Sequence, residues 1–294
     1  MGKLANQRKK EEQEKKKIRL IKAGGGNHHK LSEEVQIILM LIYLRQNPSF
    51  QMLGLLFQVS ESTAHNLFNY WLEIFQNELP ESLLEQLKKS PEELEKVLEE
   101  LSQHELIVDT AEQAIQRPRD YKQQQNYYSG KQKRHTFKNQ FIVLPLGRDI
   151  VDVVVGKPGP MSDIKICRQV LKIFKPQQSL SGDKAYVGEP QISTPSKKPK
   201  KGELTKLQKQ ENKALSSKRI FVEHLIRVVK IFKVVQNRFP LDKRRYQDII
   251  LTVCGLVRLR IEALILEIIE DEKLGQVINV VISHSFVPKL DFVT

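Results

Sequence analysis

Leu106-Ile107-Val108-Asp109-Thr110 marks the point where the periodicity of this chain changes. Three adjacent apolar residues are too few for a helical stripe, and they read as a short buried strand closing on the Asp109 carboxylate. Thr136 to Leu144 and Ile150 to Val155 then form a hairpin pattern across Pro145-Leu146-Gly147-Arg148-Asp149. Asp163 to Phe174 has helical spacing with Ser162 as its cap, and Ser179 to Gly182 reads as a second buried strand. Leu204 to Leu215 and Ser217 to Lys233 read as two further helices. Strand, hairpin, helix, strand, helix is the order of a mixed α/β sheet.

Upstream the period is helical. Val35, Ile38, Leu39, Ile42 and Tyr43 recur at spacings of three and four, with Ser32 at the start and Asn47-Pro48-Ser49 at the stop. Phe50 to Phe57 gives a second short helix. Val59-Ser60 makes a turn, and Glu61 to Phe75 follows with Ser60 as N-cap. A short helix, a tight turn and a polar-fronted helix spell a helix-turn-helix, although a generic three-helix bundle carries the same pattern. In the first case Glu61, Ser62, His65, Asn66 and Asn69 face outward, while Ala64, Leu67, Phe68 and Trp71 pack inward. Glu81 to Leu101 reads as two acidic connecting helices, the second opened by a capping box at Ser90-Pro91-Glu92-Glu93.

The 294 residues carry 48 Lys plus Arg against 35 Asp plus Glu, a net charge of +13, which favours a polyanionic partner such as DNA. The two cysteines, Cys167 and Cys254, are flanked by apolar residues and offer neither a disulfide framework nor a thiolate zinc site. The seven histidines lack ligand spacing, and Gly24-Gly25-Gly26 lacks the Lys-Ser/Thr ending of a phosphate loop. The start is charged and polar, unlike a signal peptide. The apolar run Ile249 to Val257 stops at Arg258 and Arg260, short of the ~20 residues a spanning helix needs. These features lead us to expect a soluble, cytoplasmic, nucleoid-associated protein that does not enter a membrane.

The acids are the chemically suggestive residues. Asp109 and Asp183 each end an apolar segment, where a lone charge is costly unless paired or metal-bound. Glu223 sits among Phe221, Val222, Leu225 and Ile226 on a helix. Two strand-end carboxylates and one helix carboxylate can meet at one divalent-metal site, since hard oxygen ligands are what Mg²⁺ prefers. Phosphodiester cleavage uses two such ions about 4 Å apart, to activate the attacking oxygen and relieve charge on the leaving one. Separations of 74 and 40 residues leave room for the hairpin and helix in the first gap and a basic insertion in the second.

Four phrases, in order, extend this reading. They are Val108-Asp109-Thr110, the run Tyr128 to Thr136 (YSGKQKRHT), Gly182 to Gly188 (GDKAYVG) and Ser217 to His224 (SKRIFVEH). Together they resemble the DDE transposases of bacterial insertion sequences, across roughly Lys30 to Ile261. The resemblance implies an α/β protein: an N-terminal all-α helix-turn-helix domain followed by a ribonuclease-H-like mixed-sheet catalytic domain. It implies boundaries at 1–29 (basic flexible arm), 30–78 (helix-turn-helix), 79–104 (acidic helical connector), 105–262 (catalytic domain) and 263–294 (C-terminal tail). Asp109, Asp183 and Glu223 would be catalytic and would ligate two Mg²⁺ or Mn²⁺ ions, with Asp109 shared. Two departures stand out: Ser162-Asp163 replaces the family's usual His-Asp pair, and Ala185 stands where glycine commonly follows the Asp-Lys pair. Asp163 therefore ranks as a helix cap or a support behind the ligands.

Candidate DNA contacts fall in three groups. Ser62, His65 and Asn66 front the expected recognition helix. Lys131, Lys133 and Arg134, with His135 and Lys138 after them, follow the aromatic pair Tyr127-Tyr128, a mixture suited to backbone contacts and base stacking. Arg219, Arg227 and Lys230 lie four before, four after and seven after Glu223, and read either as a salt-bridge ladder or as phosphate clamps. The cluster Lys197 to Lys201, with Lys206 and Lys209, reads equally as a DNA contact or as a solvated loop. The expected partners are duplex DNA, as element terminal repeats and target, and a second copy in a homodimer or larger assembly on DNA. A catalytically inactive DNA-binding derivative and a stand-alone metal-dependent endonuclease are the alternatives.

Overall fold

The computed structural model describes residues 2–16, 30–199 and 202–264. The glycine triplet, His28-His29, Lys200, Lys201 and nearly all of the expected C-terminal tail lie outside them. The N-terminal arm, expected to be flexible, contains helix α1 (Gly2–Lys16), whose Ala5 and Asn6 are buried. Asn6 Nδ2 donates to Glu33 Oε1 at 2.5 Å, and Lys9 reaches Glu73 at 2.8 Å.

Helices α2 (Glu33–Gln46), α3 (Phe50–Phe57) and α4 (Glu61–Glu78) each begin at a serine, Ser32, Ser49 and Ser60, whose hydroxyl accepts a backbone N–H three residues on. Gly54 makes the α3–α4 turn possible, because a Cβ there would meet the Val59 carbonyl oxygen at 2.7 Å. Tyr43, Phe50 and Phe68 stack between the three helices, and Trp71 Nε1 donates to Gln36 Oε1 at 3.0 Å. The connector supplies α5 (Leu83–Leu87) and α6 (Pro91–Leu101). Proline occupies the first turn of α6, but the Ser90 hydroxyl makes no capping bond, so the expected box does not close.

The sheet contains β1 (Leu106–Ala114), β2 (Tyr128–Ser129, preceded by α7, Tyr121–Tyr127), β3 (Arg134–Val143), β4 (Ile150–Pro158), β5 (Leu180–Ser181) and β6 (Ile192–Ser193). β3 lies antiparallel between β4 and β1, and β5 and β6 continue parallel beyond β1. The order β4-β3-β1-β5-β6, three antiparallel strands and then two parallel ones, is the ribonuclease-H-like mixed sheet. β1 does not end at Asp109. Its ladder with β3 runs from Ile107 opposite Val143 to Ala114 opposite Thr136, so backbone partners carry the strand five residues further.

Helix α8 (Asp163–Leu171) covers one face, and Ser162 stands at its cap position without a side-chain bond. The two helices expected after Leu204 are one, α9 (Lys206–Lys230). Ser217 Oγ donates to the Lys213 carbonyl at 3.0 Å, which absorbs the polar Ser216-Ser217 step inside the helix. α10 (Lys233–Gln236) and α11 (Tyr246–Arg260) complete the described residues. The three N-terminal helices, α9, α11 and one sheet face share a single core, while α5, α6 and α8 close the other face.

The run that stops at Arg258 proves not to stop at the surface. Arg258 is fully buried in α11 and grips Asp149 with two bonds, Nε to Oδ1 at 2.7 Å and Nη2 to Oδ2 at 2.8 Å. Its other donors reach the Pro80 and Ser82 carbonyls at 2.8 and 2.9 Å and Gln86 Oε1 at 3.0 Å. One guanidinium thus ties α11 to the hairpin turn and the connector.

Candidate active site

Alternation along β1 decides which way its acid points. Ile107 belongs to the core beneath α9, and Gln113 donates to the Val234 and Asn237 carbonyls, so Asp109 faces α9 as well. Val108 and Thr110 face the α8 side, where the Thr110 hydroxyl lies 2.9 Å from that of Tyr186. Asp109 Oδ1 accepts the Thr110 N–H at 2.8 Å. Burial pushes the Asp109 carboxyl above the ordinary range, opposed by that N–H and by Arg219, and reinforced by the charges of Asp183 and Glu223.

Asp183 follows β5, which runs parallel to the start of β1. Gly182 sets its place: a Cβ would lie 2.8 Å from Tyr186 Cδ2 and 3.1 Å from Val108 Cγ1 and Ile192 Cγ2, so only glycine lets the chain turn there. The Asp183 side chain caps the following turn, accepting the Ala185 N–H at 2.8 Å. Ala185 has no positive φ, and the turn tolerates it.

Glu223 stands exposed on α9. Arg219, one turn earlier, inserts its guanidinium between the acids, with Nη2 3.5 Å from Glu223 Oε1 and 3.8 Å from Asp109 Oδ2. Its buried Nε has no hydrogen-bond partner among the described residues. Among the described residues no three His, Cys, Asp or Glu side chains are grouped closely enough to hold an ion as they stand. The donor set nonetheless suits a hard divalent cation in kind, and the space between two of its acids already holds a positive charge.

Asp109 and Glu223 open on a cleft of about 630 Å³ that Arg45, Lys131, Arg227, Lys230 and Lys233 also line, whereas Asp183 is not part of its lining. Arg227 and Lys230 form no ion pair among the described residues, so of the expected ladder only the Arg219 to Glu223 rung is present. Lys131 reaches the cleft, whereas Lys133 and Arg134 are exposed and do not line it. Asp163 is explained by Lys138, whose Nζ donates to Asp163 Oδ1 at 2.8 Å and to the Met161 carbonyl at 2.7 Å, with Glu112 Oε1 at 4.0 Å. Asp163 opens α8 and lines the same cleft as Asp109 and Glu223, held there by Lys138.

On α4, Ser62, His65 and Asn66 are exposed, with the His65 ring edge-on to Phe50 at 4.9 Å. Asn69, expected on the same open face, is half-buried, and its Oδ1 accepts from Arg245 Nη2 at 2.8 Å. Arg45 and Arg245 were not singled out by sequence reasoning, since they reach these sites only through tertiary contacts; Lys138, expected with the basic run at the hairpin mouth as a DNA backbone contact, is buried against Asp163.

A strand carboxylate, a strand-end carboxylate and a helix carboxylate on a mixed sheet of this order define the DDE class of nucleases. The chain belongs to the DDE superfamily endonuclease family: that family's model matches residues 108–258, and the model for the helix-turn-helix of DDE superfamily endonuclease matches residues 29–81. The probable transposase for insertion sequence element IS702 of Microchaete diplosiphon is 31% identical over 222 residues, 72% of this chain and 75% of that protein. A Mos1 transposase paired-end complex with left transposon end overlaps 87% of this chain and 84% of its own, at 8% identity and a TM-score of 0.24. No helix among the described residues is long and apolar enough to cross a membrane.

Proposed function

We propose that this chain is a DNA transposase that cuts at the ends of its own element and joins the freed 3′ ends to a target. The observation that carries this reading is the meeting of Asp109 and Glu223 about one guanidinium, with Asp183 near enough to raise the Asp109 carboxyl further. Asp109, Asp183 and Glu223 would hold two Mg²⁺ or Mn²⁺ ions, which when bound supply nucleophile activation and leaving-group charge relief. The chain's own groups do the positioning. Arg227, Lys230 and Lys131 hold backbone phosphates in the cleft, while Lys133 and Arg134 extend that contact outside it. Arg219 keeps the acids from repelling one another. Ser62, His65 and Asn66 meet base edges in the major groove of the terminal repeats. The segments 30–78, 79–104 and 105–262 act as reader, spacer and catalytic unit, and a dimer or larger assembly pairs the two ends.

Asp109→Ala, Asp183→Ala and Glu223→Ala are each expected to abolish Mg²⁺- or Mn²⁺-dependent cleavage of the DNA bordering the gene. Binding should stay within a few fold, because such changes delete chemistry and not phosphate anchoring. Near-normal cleavage by any one variant removes that residue from the site. Cleavage without joining by the unmodified chain favours a stand-alone endonuclease.

A further inference from the structure

We propose that the solvent-facing stripe of α9 carrying Lys206, Lys209 and Lys213 is the phosphate track for the target duplex, separate from the cleft that holds the element end. The inference rests on the transposase reading and assigns a second DNA to a surface outside the cleft.

At 100° per residue, Lys206, Lys209, Lys213, Glu223, Arg227 and Lys230 fall within about 120° of arc on α9. Val222, Leu225, Ile226 and Val229 are buried on the opposite side. Glu223 is the only acid on that arc, since Glu211 projects to the other side. At ~1.5 Å per residue the three lysines lie about 15–25 Å from Glu223 along the axis, and Lys230 lies about 10 Å beyond it in the other direction. The catalytic carboxylate therefore interrupts a basic line about one duplex turn long.

The two halves of this line have different surroundings. Past Glu223, α9 ends at its cap residue Ile231, whose carbonyl accepts from Arg45 of α2, and α10 packs on α2, so this half is continuous with the helix-turn-helix. Before Glu223, Lys206, Lys209 and Lys213 are exposed, and α9 is buttressed there by the loop after β6. Ser196 and Asn212 exchange two hydrogen bonds, at 2.8 and 3.1 Å, which fix the loop bearing Lys197 and Lys198 alongside. Lys209 pairs with Glu203 at 3.0 Å, while neither Lys206 nor Lys213 meets an acid among the described residues. An element end read by the helix-turn-helix enters from the Arg227 side and finishes at Glu223. A cut end does not extend past its own terminus, so a duplex on the lysine half is the one to which the end is joined. In that step the terminal 3′ oxygen bonds to a target phosphorus, the target's own P–O3′ bond breaks, and the attacking hydroxyl's proton goes to the departing oxygen.

The test compares the full chain with the triple variant Lys206→Gln, Lys209→Gln, Lys213→Gln, using DNA from the borders of the gene and a supercoiled plasmid as target. We expect border-DNA binding and cleavage within twofold of the unmodified chain, and joining of pre-cut ends to the plasmid reduced at least tenfold. Replacing the same lysines with arginine should restore joining. The slope of log affinity against log salt for random duplex should fall by about two to three units, as each lost phosphate contact removes ~0.9. Joining at the unmodified rate, or an equal loss in border binding, overturns the proposal. If the unmodified chain neither cuts nor joins border DNA, the transposase reading fails by itself. An unchanged random-duplex slope then overturns the track independently.

Discussion

Replacing Arg258 with Met should be among the most damaging single changes outside the catalytic acids. The thioether fills much of the space of the stem but removes five hydrogen bonds at once. Asp149, itself buried, is left with the Ile150 N–H as its remaining hydrogen-bond donor, and the Pro80 and Ser82 carbonyls lose the partner that tied them to α11. Removing one member of a buried pair costs about 3–5 kcal/mol, against a total stability of about 5–15 kcal/mol. Urea denaturation followed by circular dichroism measures the loss. The cost should also depend on pH. Burial raises the Asp149 carboxyl, and Arg258 is what opposes it, so the variant's carboxyl rises further. A raised carboxyl contributes stability below its unfolded value and loses it as pH rises through the folded one. The variant should therefore trail the unmodified protein by less at pH 5 than at pH 8. The double variant Arg258→Met, Asp149→Leu should recover much of the loss, because no unpaired charge remains. A cost under about 1 kcal/mol, or strict additivity of the two single changes, would refute the reasoning.

Asp109→Asn should raise the melting temperature of the metal-free protein at neutral pH, with the gain fading towards pH 4, because the raised Asp109 carboxyl is destabilising only once ionised; Mn²⁺ should then stabilise the unmodified chain more than the variant, and equal stabilisation would separate Asp109 from the ion. Changing Ser62, His65 and Asn66 together should weaken discrimination between border DNA and random DNA, and equal losses on both would reduce this face to a phosphate contact. Arg227→Gln with Lys230→Gln should lower the salt slope of border-DNA binding by up to about two units if the pair clamps phosphates. A small drop in melting temperature with an unchanged slope would make them supports of the helix alone.

Much of the fold was legible in the chain because its signals are local. The serines before helices α2 and α4 and the apolar runs of strand length each act within a few residues. The order of elements then allowed few sheets, and the run ending at Asp109, Gly182-Asp183 and the setting of Glu223 marked the three candidate acids. Where the sequence misled, a distant partner had the deciding influence. β1 continues past Asp109 because β3 offers hydrogen bonds to Ala114. Arg258 is buried because Asp149, Pro80, Ser82 and Gln86 surround its donors, and no local pattern announces a charge that is satisfied from more than a hundred residues away. Only the tertiary structure placed Arg219 between Asp109 and Glu223, and Lys138 against Asp163. Sequence spacing states which residues share a helix face or a strand edge. Which charge answers which depends on how those faces pack, and burial strengthens that answer by removing the water that would otherwise screen it.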